Sequence, residues 1–193
     1  MPIYIPGDAF RIQDSVGLAA GLWPPQIIKP AVVRWVMPGW FIYTTSTFLT
    51  TAARIYYTPI YVSETTTYIR IGLEVTTGVA GTADLRIFNW TNGLPSSLVL
   101  SAGTVDTTAA ALVEIVIAQQ LTRGYYFLAY RCSAAPTLRV VVGCSAPCSS
   151  LNLTGSPTTS QITMYVDAAY ADPAPAPTNT LGTGTQAVML REN

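Results

Sequence analysis

The sequence predicts an all-β fold: an antiparallel, jelly-roll-like β-sandwich with an extended N-terminal arm and a Pro-rich C-terminal segment that ends in a strand. Three observations predict it. From Arg54 to about Asp167 the chain is a series of short β-branched and aromatic runs separated by turn residues. The clearest of these runs alternates apolar and polar residues with a period of two. Outside Ala109-Ala110-Ala111, no window of helical length has helical periodicity, so helix content should be small.

Composition divides the chain into three zones: an arm at 1–53, a sandwich at 54–167, and a spacer with a closing strand at 168–193. The first zone is apolar but aperiodic, broken by Pro6, Pro24, Pro25, Pro30 and Pro38 and by Gly7, Gly17, Gly21 and Gly39. Proline lacks the amide donor and fixes φ, so neither a long helix nor a central strand is expected there. Its rings, Trp23, Trp35, Trp40, Phe41 and Tyr43, are too many for a solvated linker. These five are the expected partner-binding residues, on an arm laid over a neighbouring subunit; the other reading is that the arm wraps its own domain.

In the second zone, Arg54 to Val62 reads as a strand that Pro59 restricts to an edge or a bulge. Thr67 to Thr76 follows, with Ile69, Ile71, Leu73 and Val75 facing inward. Tyr68, Arg70, Gly72 and Glu74 then face outward, where the Arg and the Glu can pair. Ala83 to Trp90 points Leu85 and Ile87 one way. Thr91-Asn92-Gly93-Leu94-Pro95 is a turn in which Asn-Gly tolerates positive φ. Leu98 to Leu100 is a short strand, and Leu112 to Ile117 is a strand because Val113, Ile115 and Ile117 are β-branched. Tyr125 to Cys132 is apolar on both faces, with Tyr126, Leu128 and Tyr130 on one and Tyr125, Phe127 and Ala129 on the other; it should be central. Leu138 to Val142 and Gln161 to Val166 are further strands. In the last zone, Asp172 to Thr178 is a polyproline-like spacer. Gln186 to Arg191 is a closing strand for this sheet or a neighbour's.

Charge and hydropathy bound the function. Ten Lys+Arg balance ten Asp+Glu, so no basic footprint for nucleic acid or an anionic membrane exists. Charged residues are 10% of the chain against a usual ~25%, while hydrophobic residues reach 50%. The longest apolar stretch, Ala109 to Ala118, contains Glu114 and is too short to insert in a bilayer. Met1-Pro2-Ile3-Tyr4 does not open like a secretory signal. The excess of oil should therefore be covered by other protein, which predicts a subunit of an assembly.

Histidine is absent, which removes Ser-His and Cys-His chemistry. Cys132, Cys144 and Cys148 are too few for a structural zinc; buried thiols are preferred over a disulfide. The carboxylates Glu64, Glu74, Asp84, Asp106, Glu114 and Asp167 sit in no glycosidase-like motif, and Asp106 reads as a turn cap. Gly78-Val79-Ala80-Gly81 and Gly182-Thr183-Gly184 lack the lysine and helix of a phosphate cradle. No catalytic residue, cofactor or metal is expected, and the chain reads as a non-enzyme. Trp90, Tyr57, Tyr125 and Tyr130 are candidates for a glycan-stacking platform, with core or interface filling as the plainer use.

The order of Arg54–Val62, Ile69–Thr76, Leu85–Asn89, Asn92-Gly93-Leu94-Pro95, Ala102–Asp106 and Leu121–Ala129 resembles a β-sandwich module of tailed-bacteriophage structural proteins, in tail fibres and outer capsid proteins. The resemblance covers Arg54 to about Val142 and carries no catalytic signature. It implies a virion protein assembled in the host cytoplasm. Because no heptad or collagen-like shaft is present, a capsid cement or decoration protein is expected, as a homotrimer contacting the major capsid protein. The alternative is a tail-fibre or baseplate module that recognises host-surface glycans.

Overall fold

The computed structural model describes residues 34–36, 44–142, 163–181 and 187–192. Among them the chain forms β1 (Arg34–Val36), β2 (Thr44–Leu49), β3 (Ile55–Val62), β4 (Thr66–Thr77), β5 (Thr82–Thr91) and β6 (Leu94–Asp106). It continues through β7 (Ala111–Leu121), β8 (Gly124–Cys132), β9 (Thr137–Val142), β10 (Thr163–Val166), β11 (Asn179–Leu181) and β12 (Met189–Glu192).

All pairs are antiparallel, in two sheets. In sheet A, β7 lies along one side of β4, while β9 and β12 share the other side; β2 flanks β9 and β1 flanks β12. Sheet B has the order β11-β10-β3-β8-β5-β6. From β2 to β9 the chain changes sheet at every connection except the β5–β6 hairpin. The layers β2-β9-β4-β7 and β3-β8-β5-β6 are thus the eight-stranded jelly roll, extended here by β1, β10, β11 and β12.

Between the sheets lies the main core, built from alternate residues of each strand: Tyr56, Ile60 and Val62 of β3, Ile71, Leu73 and Val75 of β4, Ala83, Leu85 and Ile87 of β5, and Tyr126, Leu128 and Tyr130 of β8. The alternation expected for β5 and β8 is the observed one. β8 is central, paired with β3 and β5. Both its faces are apolar because its other face, with Phe127 and Ala129, belongs to a second core on the outside of sheet B. At the β5–β6 hairpin Asn92 (φ 51°) and Gly93 (φ 85°) join Thr91 to Leu94, the left-handed pair that a two-residue turn requires.

Several expectations are corrected. The zone 1–53 is not wholly an arm: β1 pairs with β12 and β2 pairs with β9 of the same chain. Pro59 lies in an interior strand, opposite Phe127 of β8. Among the described residues β10 pairs with Ile55, Tyr56 and Tyr57, and Pro59 lies beyond these pairs. In β4 the register shifts between Tyr68 and Arg70, which turns Tyr68 into the core and leaves Ile69 half-buried. A period-two count cannot see that irregularity. Arg70 and Glu74 do not pair with each other, being about 13 Å apart along one strand. Arg70 meets Glu114 of β7 at 3.1 Å, and Glu74 meets Arg139 of β9 at 3.1 Å. The strand expected at Leu98–Leu100 is the middle of the much longer β6.

The Pro-rich stretch is no free spacer. Residues 168–178 run over the outside of sheet B, where Ala174 N–H donates to Ser96 O (2.7 Å), Leu98 N–H to Asp172 Oδ1 (3.0 Å) and Tyr57 Oη–H to Pro175 O (3.4 Å). Ala168, Tyr170 and Ala174 pack on Tyr57, Phe88, Phe127 and Met164. The closing strand completes this chain's own sheet: β12 pairs with β4, and Leu190 is fully buried.

Candidate functional site

Five of the six carboxylates offered by the sequence, Glu74, Asp84, Asp106, Glu114 and Asp167, have a local partner. Asp84 holds Arg86 (3.0 Å), Asp167 holds Arg54 (2.7 Å), and Glu114 lies between Arg70 (3.1 Å) and Arg191 (3.5 Å). Glu64 uses its main-chain carbonyl as acceptor for Thr66. Asp106 accepts from the Thr108 amide (2.9 Å) and hydroxyl (2.6 Å), the turn cap its sequence context indicates. Those bonds hold its carboxyl below the usual carboxylate range. A shallow cleft of about 370 Å³ lies among Thr51–Arg54, Arg131, Asp167 and Ala168. Its charged groups are already engaged, since Arg54 pairs with Asp167 and Arg131 Nε donates to the carbonyls of Ala53 and Ala168. Among the described residues no group of three or more Cys, Asp or Glu gathers as a metal site.

The aromatic candidates separate by face and by row. Tyr57 and Tyr130 do not belong to an exposed platform. Tyr130 stacks on Tyr56 at 4.8 Å inside the main core, and Tyr57 is sealed under the Pro-rich roof. Burial raises the pKa of both hydroxyls. Trp90 and Tyr125 are half-buried on the outer face of sheet B, 5.1 Å apart.

They have a third neighbour that the sequence reading missed. Tyr61 pairs directly with Tyr125 across β3 and β8, with centroids 4.8 Å apart, and Arg123 Nε donates to its hydroxyl at 3.1 Å. Tyr61, Tyr125 and Trp90 thus form a row across three adjacent strands. The row sits beyond the roof and is anchored by Trp90 stacking on buried Phe127 at 4.9 Å. Parity was the available signal, since Tyr57 and Tyr61 are four residues apart and must share a face.

Sheet A presents a different surface. Its outer face carries the ion pairs of Arg70, Glu74, Glu114, Arg139 and Arg191, and Arg191 also lies over the Trp35 ring at 5.5 Å. Trp35, expected on a partner, is therefore engaged within its own chain. Trp23, Trp40, Phe41 and Tyr43 lie outside the described residues, as do Cys144 and Cys148. Cys132 is a free, buried thiol whose pKa burial pushes up to about 11. At the margins of sheet A, Val116 is 70% exposed, Leu49 65% and Leu112 48%.

The strands and their order define the class of this chain, a jelly-roll β-sandwich. No protein-family model matches it, and no curated protein does. Among solved structures it is similar to the cysteine protease and lectin-like domains of Cwp84, a surface layer associated protein of Clostridium difficile, at 7% identity and a TM-score of 0.48. That match covers 86% of this chain, which spans only 37% of the other chain's length. A likeness this slight carries no argument about function.

Proposed function

We propose that the chain is a non-enzymatic structural subunit of a tailed-phage virion, with capsid cement or decoration as its role. The single observation that carries this reading is the exposed oil at the margins of sheet A, on Val116, Leu49 and Leu112, in a chain with only 10% charged residues. Such margins suit contact with other subunits. The Trp- and Pro-bearing residues before β1 would add an apolar strap over a neighbour, at roughly 25 cal/mol per Å² of apolar area covered. Since β1 and β2 belong to the sandwich, the informative deletion removes 1–33 and not 1–53. The deleted protein should fold and fail to join particles; normal incorporation overturns the role.

The aromatic row favours a second reading, recognition of a host-surface glycan at a fibre or baseplate tip. Rings held in a line on a rigid sheet offer flat apolar faces to sugar rings, and neighbouring Thr91, Asn92 and Arg123 are exposed polar groups. A glycan array with wild type, Tyr61→Ala and Trp90→Ala decides. Binding lost in both variants supports recognition, and an array with no hits removes it.

A further inference from the structure

The long open margins of the two sheets are not treated alike. In sheet B, β6 is protected: it carries Pro95, shifts register against β5 at three places, and its Ser96 carbonyl and Leu98 amide are taken by the Pro-rich roof. Among the described strands at the other margins, β1 and β11 have three residues each, and β2 is six residues, mostly Thr and Ser. Short, bulged or covered edges are how proteins prevent unwanted strand pairing.

β7 has fewer of these protections: its ladder with β4 shifts register once, where Ile117 and Ala118 stand against Ile69 alone, and among the described residues nothing covers its outer margin. It is 11 residues long, Ala111 to Leu121, and among the described residues it is paired only on its β4 side. It contains no Pro, Gly or Lys. Its alternation of exposed and half-buried residues runs unbroken from Leu112 to Gln120. The one charge on it, Glu114, is already neutralised by Arg70 and Arg191 of the same chain, so covering this margin strands no free charge.

We propose that β7 pairs antiparallel with β7 of a second copy of this chain about a two-fold axis through Val116, joining the two sheets A into one. This rests on the reading of the chain as an assembly subunit, and names its partner and its contact. The strand is self-complementary in that register. Val116 faces Val116, Ile115 faces Ile117, Leu112 faces Gln120, and Ala111 faces Leu121. Glu114 faces Ala118, which keeps the two Glu114 side chains about 14 Å apart along the ladder, beyond the ~8 Å screening length of physiological salt. A two-fold through Glu114 would set the carboxylates face to face, and is disfavoured for that reason. The pairing is isologous, so it makes a dimer in place of the trimer the sequence reading suggests.

Sedimentation of the full chain tests the pairing. Wild type should sediment as a dimer. Val116→Lys, which sets two ammonium groups on the axis at a site 70% exposed in the single chain, should sediment as a monomer with unchanged circular dichroism. Leu49→Lys on β2 should remain a dimer. Under mild oxidation Val116→Cys should give a covalent dimer above the wild-type background, and Leu112→Cys should not. A wild type that is monomeric at every concentration overturns both the pairing and the assembly reading. A multimer whose mass Val116→Lys leaves unchanged overturns the pairing alone. Cross-linking at position 112 without any at 116 overturns the register.

Discussion

The outer face of sheet B is apolar and roofed, whereas the outer face of sheet A is open and ionic. On sheet B, Tyr57, Phe88 and Phe127 are each fully buried beneath residues 168–178, forming a second core. On sheet A, Glu114 and Glu74 tie four strands, β7, β4, β12 and β9, together through Arg70, Arg191 and Arg139, with side chains that stay 25–38% exposed. The energies differ accordingly. A buried aromatic side chain contributes about 1.5–3 kcal/mol, and a solvated ion pair about 0–1 kcal/mol. The roof stabilises the fold, while the ionic lattice chiefly keeps a broad sheet face compatible with water.

Phe127→Ala is the strongest way to break this contrast. It removes the ring that carries Trp90 and packs edge-on to Tyr57. It should cost about 3–5 kcal/mol, read as a lower denaturant midpoint with a similar slope. A cost under about 1 kcal/mol would mean the outer face is not a core. Asp172→Ala comes next: loss of the bond from the Leu98 amide should cost about 1 kcal/mol and speed hydrogen exchange at that amide. Unchanged exchange would detach the roof from β6. Glu114→Gln, which cuts both of its ion pairs on sheet A, should cost no more than about 1 kcal/mol, and added salt should shrink the difference. A cost like that of Phe127→Ala would erase the contrast.

The smallest effect is an acid limb. The hydrogen bond from Arg54 holds the Asp167 carboxyl below the usual range, as the Thr108 bonds do for Asp106. A carboxyl depressed in the folded state contributes stability above its unfolded pKa, and loses it as pH falls through the folded value. Stability should therefore be flat near neutral pH and decline on the acid side. Asp167→Asn and Asp106→Asn should each make that decline shallower; an unaltered slope in both would remove these two groups from it.

Much of the fold was legible because it is written locally. β8 announced itself as central by being apolar on both faces, and the Asn92-Gly93 turn by its tolerance of positive φ. The edge or bulge that Pro59 suggested is not what forms, because β3 is interior, paired with β8 along its whole length and with β10 at Ile55–Tyr57. The candidate site was half legible. Trp90 and Tyr125 are in the row, Tyr61 was passed over, and Tyr57 and Tyr130 are buried. All are rings on strands, and composition alone assigns them the same role.

Period-two alternation, β-branching and turn chemistry act between near neighbours, so the sequence by itself determined the all-β class, most strand positions and the faces of β5 and β8. Tertiary structure alone decided which of those faces meets water. Tyr57 is buried because Pro175 arrives from 118 residues away, and Val116 is exposed because no described strand arrives beside it. Exposure is set by what packs on top, and chain segments distant in sequence supply that.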